Sequence, residues 1–347
     1  MFCMENDIQK DTPPDAPDTT NTPEPQGIFR KKLSFERKGL MLKSDLYWHT
    51  KDPCPVFDGK MWHLFGSGGQ PYMEIWHILH ATAPHPEGPW TEQESSILDT
   101  VQGPHVAAPA VIYDAHEQKF HMFVQREFMA LGGTIEHLSS TDGTHFALID
   151  TALASIPDSD EAGIYDPHPA IIQGTHYLIY SGMRRVNHPD LFLAECPGKS
   201  WKCPWERKGK ILSHENIGHH NQHNYEDYEW GLEGSQLIPL PSGNILLNAV
   251  CFLPQGKRGQ RQRVFFAAAK DPLGPYTTLG PVIEPYGDDW EGGENGHATG
   301  IIVGDVLYLY YQSRAFSERN RWCYGLAVFK VAEIEEVVKN ILEEAAH

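Results

Sequence analysis

Along most of this chain, apolar residues come in short runs of about half a dozen positions, each closed by Gly, Pro, Asp or Asn. That is the pattern of short strands joined by tight turns. Five stretches share one layout. They open at Asp52-Pro53, Ala108-Pro109, Asp166-Pro167, Glu233-Gly234 and Gly296-His297, then turn through FDGK, YDAHEQK, IQGT, LPSGN and VGDV. Gly, Asp and Asn supply the backbone conformations that such hairpins need. Aromatic and aliphatic return strands follow: MWHLFG, FHMFVQ, HYLIYSG, ILLNAV and LYLYYQ. A third strand and a closing turn recur, ending at Trp90, Phe146, Trp205 and Tyr276, while the last unit runs WCYGLAVFKV and stops.

Units of roughly 60 residues with three or four antiparallel strands cannot each bury two faces alone, so radial stacking is the stable arrangement. The expected fold is therefore all-β, a five-bladed β-propeller over about residues 40–331. A β-sandwich would leave the matching closing turns unexplained. The segment VAEIEEVVKNILEEAA carries apolar residues at helical spacing and predicts a short helix over 332–347, packed on the outside. Residues 1–27 are acidic and rich in Pro and Thr, which predicts a disordered N-terminal tail.

Charge narrows the function. Lys and Arg number 28 against 46 Asp and Glu, a net charge of −18, so no basic face is available for nucleic acid or an anionic membrane. No run approaches the ~20 apolar residues of a membrane span. The N-terminus has neither a basic start nor an apolar core, so no secretory signal is read there. Six scattered cysteines, Cys3, Cys54, Cys196, Cys203, Cys251 and Cys323, lack CxxC spacing and read as reduced, mostly buried thiols. Both features point to the cytoplasm.

Acids at matching places in successive blades converge on the propeller axis, which would bring Asp52, Asp166 and Glu233 into one pocket. Three converging carboxylates suit glycoside hydrolysis, where one activates water, one donates a proton and one tunes its neighbours. Trp230 adjoins Glu233 and, with Trp48, Trp62 and Trp76, is a candidate to stack on sugar rings. His105 precedes the blade-two strand and could face the pocket. The stretch HENIGHHNQHNYEDYEW holds His214, His219, His220 and His223, but no element fixes their spacing as a zinc site requires, so it reads as a polar rim loop leading into Glu233.

The two Asp-Pro openings, the Glu-Gly, the Gly-His and the PEGPW turn, in that blade order, make the chain resemble glycoside hydrolase family 43 over about residues 40–331. The resemblance implies an inverting glycosidase of the α-L-arabinofuranosidase or β-xylosidase type, acting on an oligosaccharide or small glycoside. It makes Asp52 the general base, Glu233 the general acid and Asp166 the residue that tunes and orients the acid, with base and acid roughly 6.5–9.5 Å apart. It places His297 on the axis beside a cation, most simply calcium, and Arg314 against the substrate or Asp52. No organic cofactor is implied. The retaining fructan- and sucrose-cleaving propellers resemble a pattern with Arg before the second Asp and Cys after the Glu; Tyr165 and Gly234 stand there instead. The competing expectations are a non-catalytic carbohydrate-binding propeller and a propeller phosphorylase, the latter needing a basic phosphate pocket. Either a monomer or a homodimer is compatible with a closed propeller.

Overall fold

The computed structural model describes residues 33–70, 76–93, 106–127, 131–186, 188–198, 200–217, 231–252, 262–287, 289–315 and 321–346. Twenty strands form five separate four-stranded antiparallel sheets. Blade one holds β2 (His49–Phe57), β3 (Trp62–Gly69), β4 (Trp76–Ala83) and β5 (Thr91–Glu92). Blade two holds β6 (Val106–Asp114), β7 (Lys119–Arg126), β8 (Thr134–Ser140) and β9 (Ala147–Ala154). Blade three holds β10 (Gly163–Ile172), β11 (Thr175–Met183), β12 (Asp190–Cys196) and β13 (Glu206–Leu212). Blade four holds β14 (Leu232–Pro239), β15 (Ile245–Phe252), β16 (Gln262–Ala269) and β17 (Thr277–Pro281). Blade five holds β18 (Glu294–Val303), β19 (Val306–Arg314) and β20 (Trp322–Lys330), and its fourth strand is β1 (Phe35–Leu42).

The innermost strands close a ring, β2 against β6, β6 against β10, β10 against β14, β14 against β18 and β18 against β2. The fold is thus the five-bladed propeller expected from the repeats. One element was not foreseen. Read in sequence, the last unit stops at three strands, and β1 comes from the other end of the chain to complete it, pairing antiparallel with β20 from Phe35↔Phe329 to Leu42↔Tyr324. The first and last strands therefore share one sheet, which removes an edge that would otherwise be left unpaired.

The continuous apolar return strands now have a reason. There are five apolar clusters, each filling the space between two neighbouring blades. Successive side chains of one strand enter different clusters: Leu178 packs between blades two and three and Ile179 between three and four; Phe265 packs between three and four and Phe266 between four and five. A strand buried on both faces has no need of polar alternation. Outer strands face water on one side and do alternate, as in ERKGKIL of β13. Helix α1 (Val331–Glu344) turns Val331, Ile334, Val337, Val338, Ile341 and Leu342 onto the blade four–five cluster and covers the outside of that junction.

Among the described residues, no helix is long and apolar enough to cross a membrane. The cysteine expectation is corrected at one pair. Cys196 and Cys203 are seven residues apart, their Cα atoms 6.0 Å from each other, and they are joined as a disulfide. The intervening loop folds back because Trp201 is fully buried against His176. Cys54, Cys251 and Cys323 are buried and free. With one pair oxidised, cysteine usage no longer argues for a reducing compartment. The acidic tail and Cys3 lie outside the described residues.

Candidate active site

Every innermost strand breaks its ladder at the same place. The pairing shifts between Lys51 and Cys54, Ala107 and Ala110, Tyr165 and His168, Glu233 and Gln236, and Gly296 and Thr299. Each is a β-bulge, and each holds a residue in the left-handed region: Asp52 (φ 58°), Ala108 (48°), Asp166 (49°), Gly234 (55°) and His297 (35°). For a residue with a Cβ this conformation costs about 1–2 kcal/mol, so something must hold it. In three blades the holder is a polar side chain from the second strand of the preceding blade. The Asp52 N–H donates to Gln312 Oε1 (3.0 Å), the Ala108 N–H to Ser67 Oγ (2.8 Å) and the Asp166 N–H to Gln125 Oε1 (2.5 Å). In blade four the Gly234 N–H donates to Asp166 Oδ2 (3.1 Å).

The bulges turn Asp52, Asp166 and His297 into a pocket at the mouth of the axis, lined also by Ala108, Gly234 and Thr299. The expected equivalence is off by one residue in blade four. Gly234, not Glu233, occupies the bulge position, and Glu233 is the last paired residue before it. Glu233 does not line that pocket but meets it through His297, whose Nε2 lies 2.9 Å from Glu233 Oε1.

His297 lies at the centre of the three acids. Its Nδ1 is 2.9 Å from Asp52 Oδ1 and 3.8 Å from Asp166 Oδ2, and its Nε2 is 2.9 Å from Glu233 Oε1. Asp52 Oδ2 also accepts from the Ser67 hydroxyl (2.6 Å). Glu233 accepts from Gln262 Nε2 at Oε1 (3.3 Å) and from the Tyr165 hydroxyl at Oε2 (3.4 Å). Asp166 and His297 are 6% and 7% exposed, so the charges here are weakly screened.

This burial separates the acids by state. Burial pushes the Asp52 carboxyl up, but the His297 ring, the hydrogen bond from it, Lys51 and the Ser67 hydroxyl together outweigh that and hold it at about 2. Asp166 goes the other way. Burial, against the attraction of His297 and with the charges of Glu233 and Asp52, pushes it up to about 7. Burial works against a charge on His297, but Asp166, Asp52 and the hydrogen bonds to Asp52 and Glu233 raise it well above the usual histidine range. The acids thus favour the charged ring, with Nε2 bonded to Glu233 and Nδ1 beside Asp52.

That state bears on the expected calcium. Ligand atoms of Asp166, Glu233 and His297 lie within 4.8 Å of one another. An imidazolium with both N–H groups engaged has no lone pair to offer, and it already supplies the positive charge among the carboxylates. A cation shared by the three would take His297 as the neutral ring, with one nitrogen offering its lone pair.

The other sequence candidates fall as follows. Arg314 pairs with Glu294 through Nη2 (2.5 Å) and lies over the Trp322 ring, so its acid partner is Glu294 and not Asp52. Trp76 is 6% exposed and Lys51 Nζ lies over its ring, so it is a packing residue and not an open stacking platform. Trp62 is likewise buried and stacks on Phe57, whereas Trp48 is 43% exposed with Arg321 over its ring. His214 bonds to Asp190 Oδ1 (2.6 Å). Trp230, His105, His219, His220 and His223 lie outside the described residues.

Sequence reasoning missed Ser67, Gln125, Gln312, Gln262 and Tyr165. Four of them carry a readable signal, a buried polar residue in or beside an apolar strand, which must have a partner. Tyr165 stands where the retaining-type comparison drew attention, but its role toward Glu233 was not read.

No family model and no curated protein matches the sequence. Solved structures do match in fold. The catalytic domain of a glycoside hydrolase family 62 α-L-arabinofuranosidase from Coprinopsis cinerea aligns with a TM-score of 0.66 at 14% identity, over 86% of this chain and 97% of that one. An α-L-arabinofuranosidase from Podospora anserina, solved with cellotriose, aligns with a TM-score of 0.62 at 16% identity, over 87% and 98%. A native arabinanase from Bacillus subtilis aligns at 0.57 and 16%, over 84% and 96%. At these identities the likeness is one of fold.

Proposed function

We propose that this chain is an inverting glycoside hydrolase that removes terminal arabinofuranosyl or xylosyl residues from oligosaccharides. The observation that carries the reading is the placement of Asp52 and Glu233 on opposite nitrogens of one imidazole. Two 2.9 Å contacts to the two nitrogens of one ring put the imidazole between the carboxylates, a separation that suits the roughly 6.5–9.5 Å an inverting site needs for its water. The arabinofuranosidase and arabinanase folds among the neighbours support the choice of sugar.

The roles follow from the surroundings. Asp52, ionised at neutral pH, takes a proton from water as the water oxygen bonds to the anomeric carbon. Glu233 gives a proton to the leaving oxygen as the glycosidic bond breaks. Tyr165 and Gln262 fix the Glu233 carboxyl. Asp166 acts through the backbone, since its Oδ2 holds the N–H of the residue that follows the acid. His297 stays protonated and keeps base and acid apart.

The test is hydrolysis of a panel of aryl glycosides (α-L-arabinofuranoside, β-D-xyloside, galactofuranoside, galactoside) with Glu233→Ala alongside, and proton NMR of the first-formed anomer. Turnover of a pentoside that is lost in the variant, with inverted product, supports the reading. Turnover unchanged in the variant, or a retained product, contradicts it. A rate that depends on phosphate would point to a phosphorylase instead.

A further inference from the structure

At the opposite end of blade two is a second cluster of charged and ligating groups. Asp114 ends β6, six residues beyond Ala108, which at about 3.3 Å per residue places it roughly 20 Å along the strand from the bulge. Glu117 is in the following turn and His121 is two residues into β7. One ligand atom from each lies within 4.8 Å of the others.

His121 is 4% exposed, and its Nε2 is buried with no hydrogen-bond partner, 3.5 Å from Glu117 Oε2. A buried ring nitrogen left without a hydrogen bond is costly, which asks for a partner there. The rest of the neighbourhood fixes that nitrogen in place. His121 Nδ1 bonds to His137 Nε2 (3.0 Å), and His137 Nδ1 lies 3.4 Å from Asp150 Oδ1. In the tautomer with His121 Nδ1–H donating to His137, the His121 Nε2 carries a lone pair beside the two carboxylates, which a cation would satisfy. Asp114 is held as well, since Oδ2 accepts from Trp201 Nε1 (3.1 Å) and Oδ1 from the N–H groups of His116 and Glu117. Trp201 in turn stacks on His121. An imidazole oriented through its other nitrogen, beside an anchored carboxylate, is the outer arrangement that metal sites use.

Blade one supplies an internal comparison. His63 Nδ1 bonds to His80 Nε2 (3.0 Å), and His63 Nε2 lies 3.5 Å from Asp58 Oδ2, so the histidine pair and the first acid are repeated. The second acid is not. Five positions separate Asp58 from His63, against seven between Asp114 and His121, and the two added positions are what bring Glu117 over the ring. The pair is thus a blade feature, and the carboxylate added in blade two is what turns it toward a cation.

We infer that Asp114, Glu117 and His121 form a binding site for a first-row divalent cation, zinc being the natural fit to one imidazole and two carboxylates, with water completing the shell. The site is independent of the glycosidase pocket. It sits at the outer end of the blade two–three junction, where a bound ion would tie the β6–β7 turn to the Trp201 loop.

Zinc titrated calorimetrically into chelator-treated, tag-free full-length protein tests this. One equivalent should bind to the native chain. Glu117→Gln, whose side chain is partly exposed, should fold normally and weaken binding at least about tenfold, and His137→Asn by about 10–100-fold through loss of ring orientation. Glu233→Gln and Asp58→Asn should bind as the native chain does. Cobalt(II) in the native protein should give the strong visible band of a four- or five-coordinate ion. Absence of binding, a hexaaqua-like cobalt spectrum, native affinity in Glu117→Gln, or loss of binding in Glu233→Gln would each overturn the assignment.

Discussion

Blades two and three are nearly the same object with different consequences. Both inner strands bulge before a proline, with Ala108 at φ 48° and Asp166 at φ 49°, and both bulge N–H groups are held by a polar side chain of the preceding blade. The backbone, the strain and the holder are shared. Blade three carries a carboxylate at that point and blade two carries a methyl group, so one contributes chemistry and the other lines the pocket. The difference shows that the repeat builds five equivalent places around an axis, and that function is written by which side chain stands at each. Aspartate, alanine, aspartate, glycine and histidine occupy them in turn. Glycine in blade four is the case where two demands meet. A Cβ there would come 2.7 Å from His297 Nδ1, so the bulge must be bare for the imidazolium to sit between the acids.

The comparison can be broken first at the acids. Asp52→Asn and Glu233→Gln should each lower turnover by about 10²–10⁴-fold while the melting temperature changes little, measured on the substrate the panel identifies. A small effect at either would mean that the bulges place carboxylates without using them.

Gly234→Ala should be costly in stability. It adds a positive-φ Cβ and drives it into His297, so a loss of about 1–3 kcal/mol in denaturant unfolding is expected, with a fall in activity from the displaced ring. A neutral result would show that His297 moves freely.

Asp166 should show itself through pH. Its folded carboxyl sits at about 7, above the ordinary value of 3.8, so the folded protein keeps a proton that the unfolded chain releases. The contribution to stability is complete below pH 3.8 and is lost as pH rises through 7. Asp166→Asn removes that titration, and the fall in stability between pH 4 and 7 should flatten by an amount on the order of a few kcal/mol. His297, raised well above 6.5, behaves in the same sense at higher pH, and Asp52, held at about 2, contributes stability above pH 3.8 that is lost as pH falls toward 2. An unchanged profile in Asp166→Asn would contradict the assigned states.

The smallest effect belongs to blade two. Ala108→Gly removes the left-handed strain but loosens the unfolded chain, two terms of about 1 kcal/mol that oppose one another. Stability should change by less than about 1 kcal/mol and activity not at all. A large loss of activity would show that Ala108 does more than line the pocket.

Much of this was legible in the sequence because it rests on local patterns. Turn residues, apolar strands and the dipeptides Asp52-Pro53 and Asp166-Pro167 are all read within a few positions. What escaped depends on contacts between distant segments. Strand β1, FERKGLML, looks like a weak polar run until it is paired with β20. Ser67, Gln125 and Gln312 look like the ends of apolar strands until the next blade presents an N–H to them. The aromatic Trp76 reads equally well as a sugar platform or as packing, and its burial under Lys51 decides the matter. The one-residue offset at Glu233 arose because Glu-Gly was aligned on its acid, when the bulge aligns on its conformation.

The most direct test of the central claim compares leaving groups. Native protein and Glu233→Gln are assayed for kcat/KM on the same glycone carrying either a poor alkyl or an activated dinitrophenyl leaving group. The account predicts that the variant loses about 10²–10⁴-fold on the alkyl glycoside and far less on the activated one, because only the former needs its oxygen protonated. Equal losses on both, or none on either, would contradict the claim that the blade-four acid is the proton donor of this pocket.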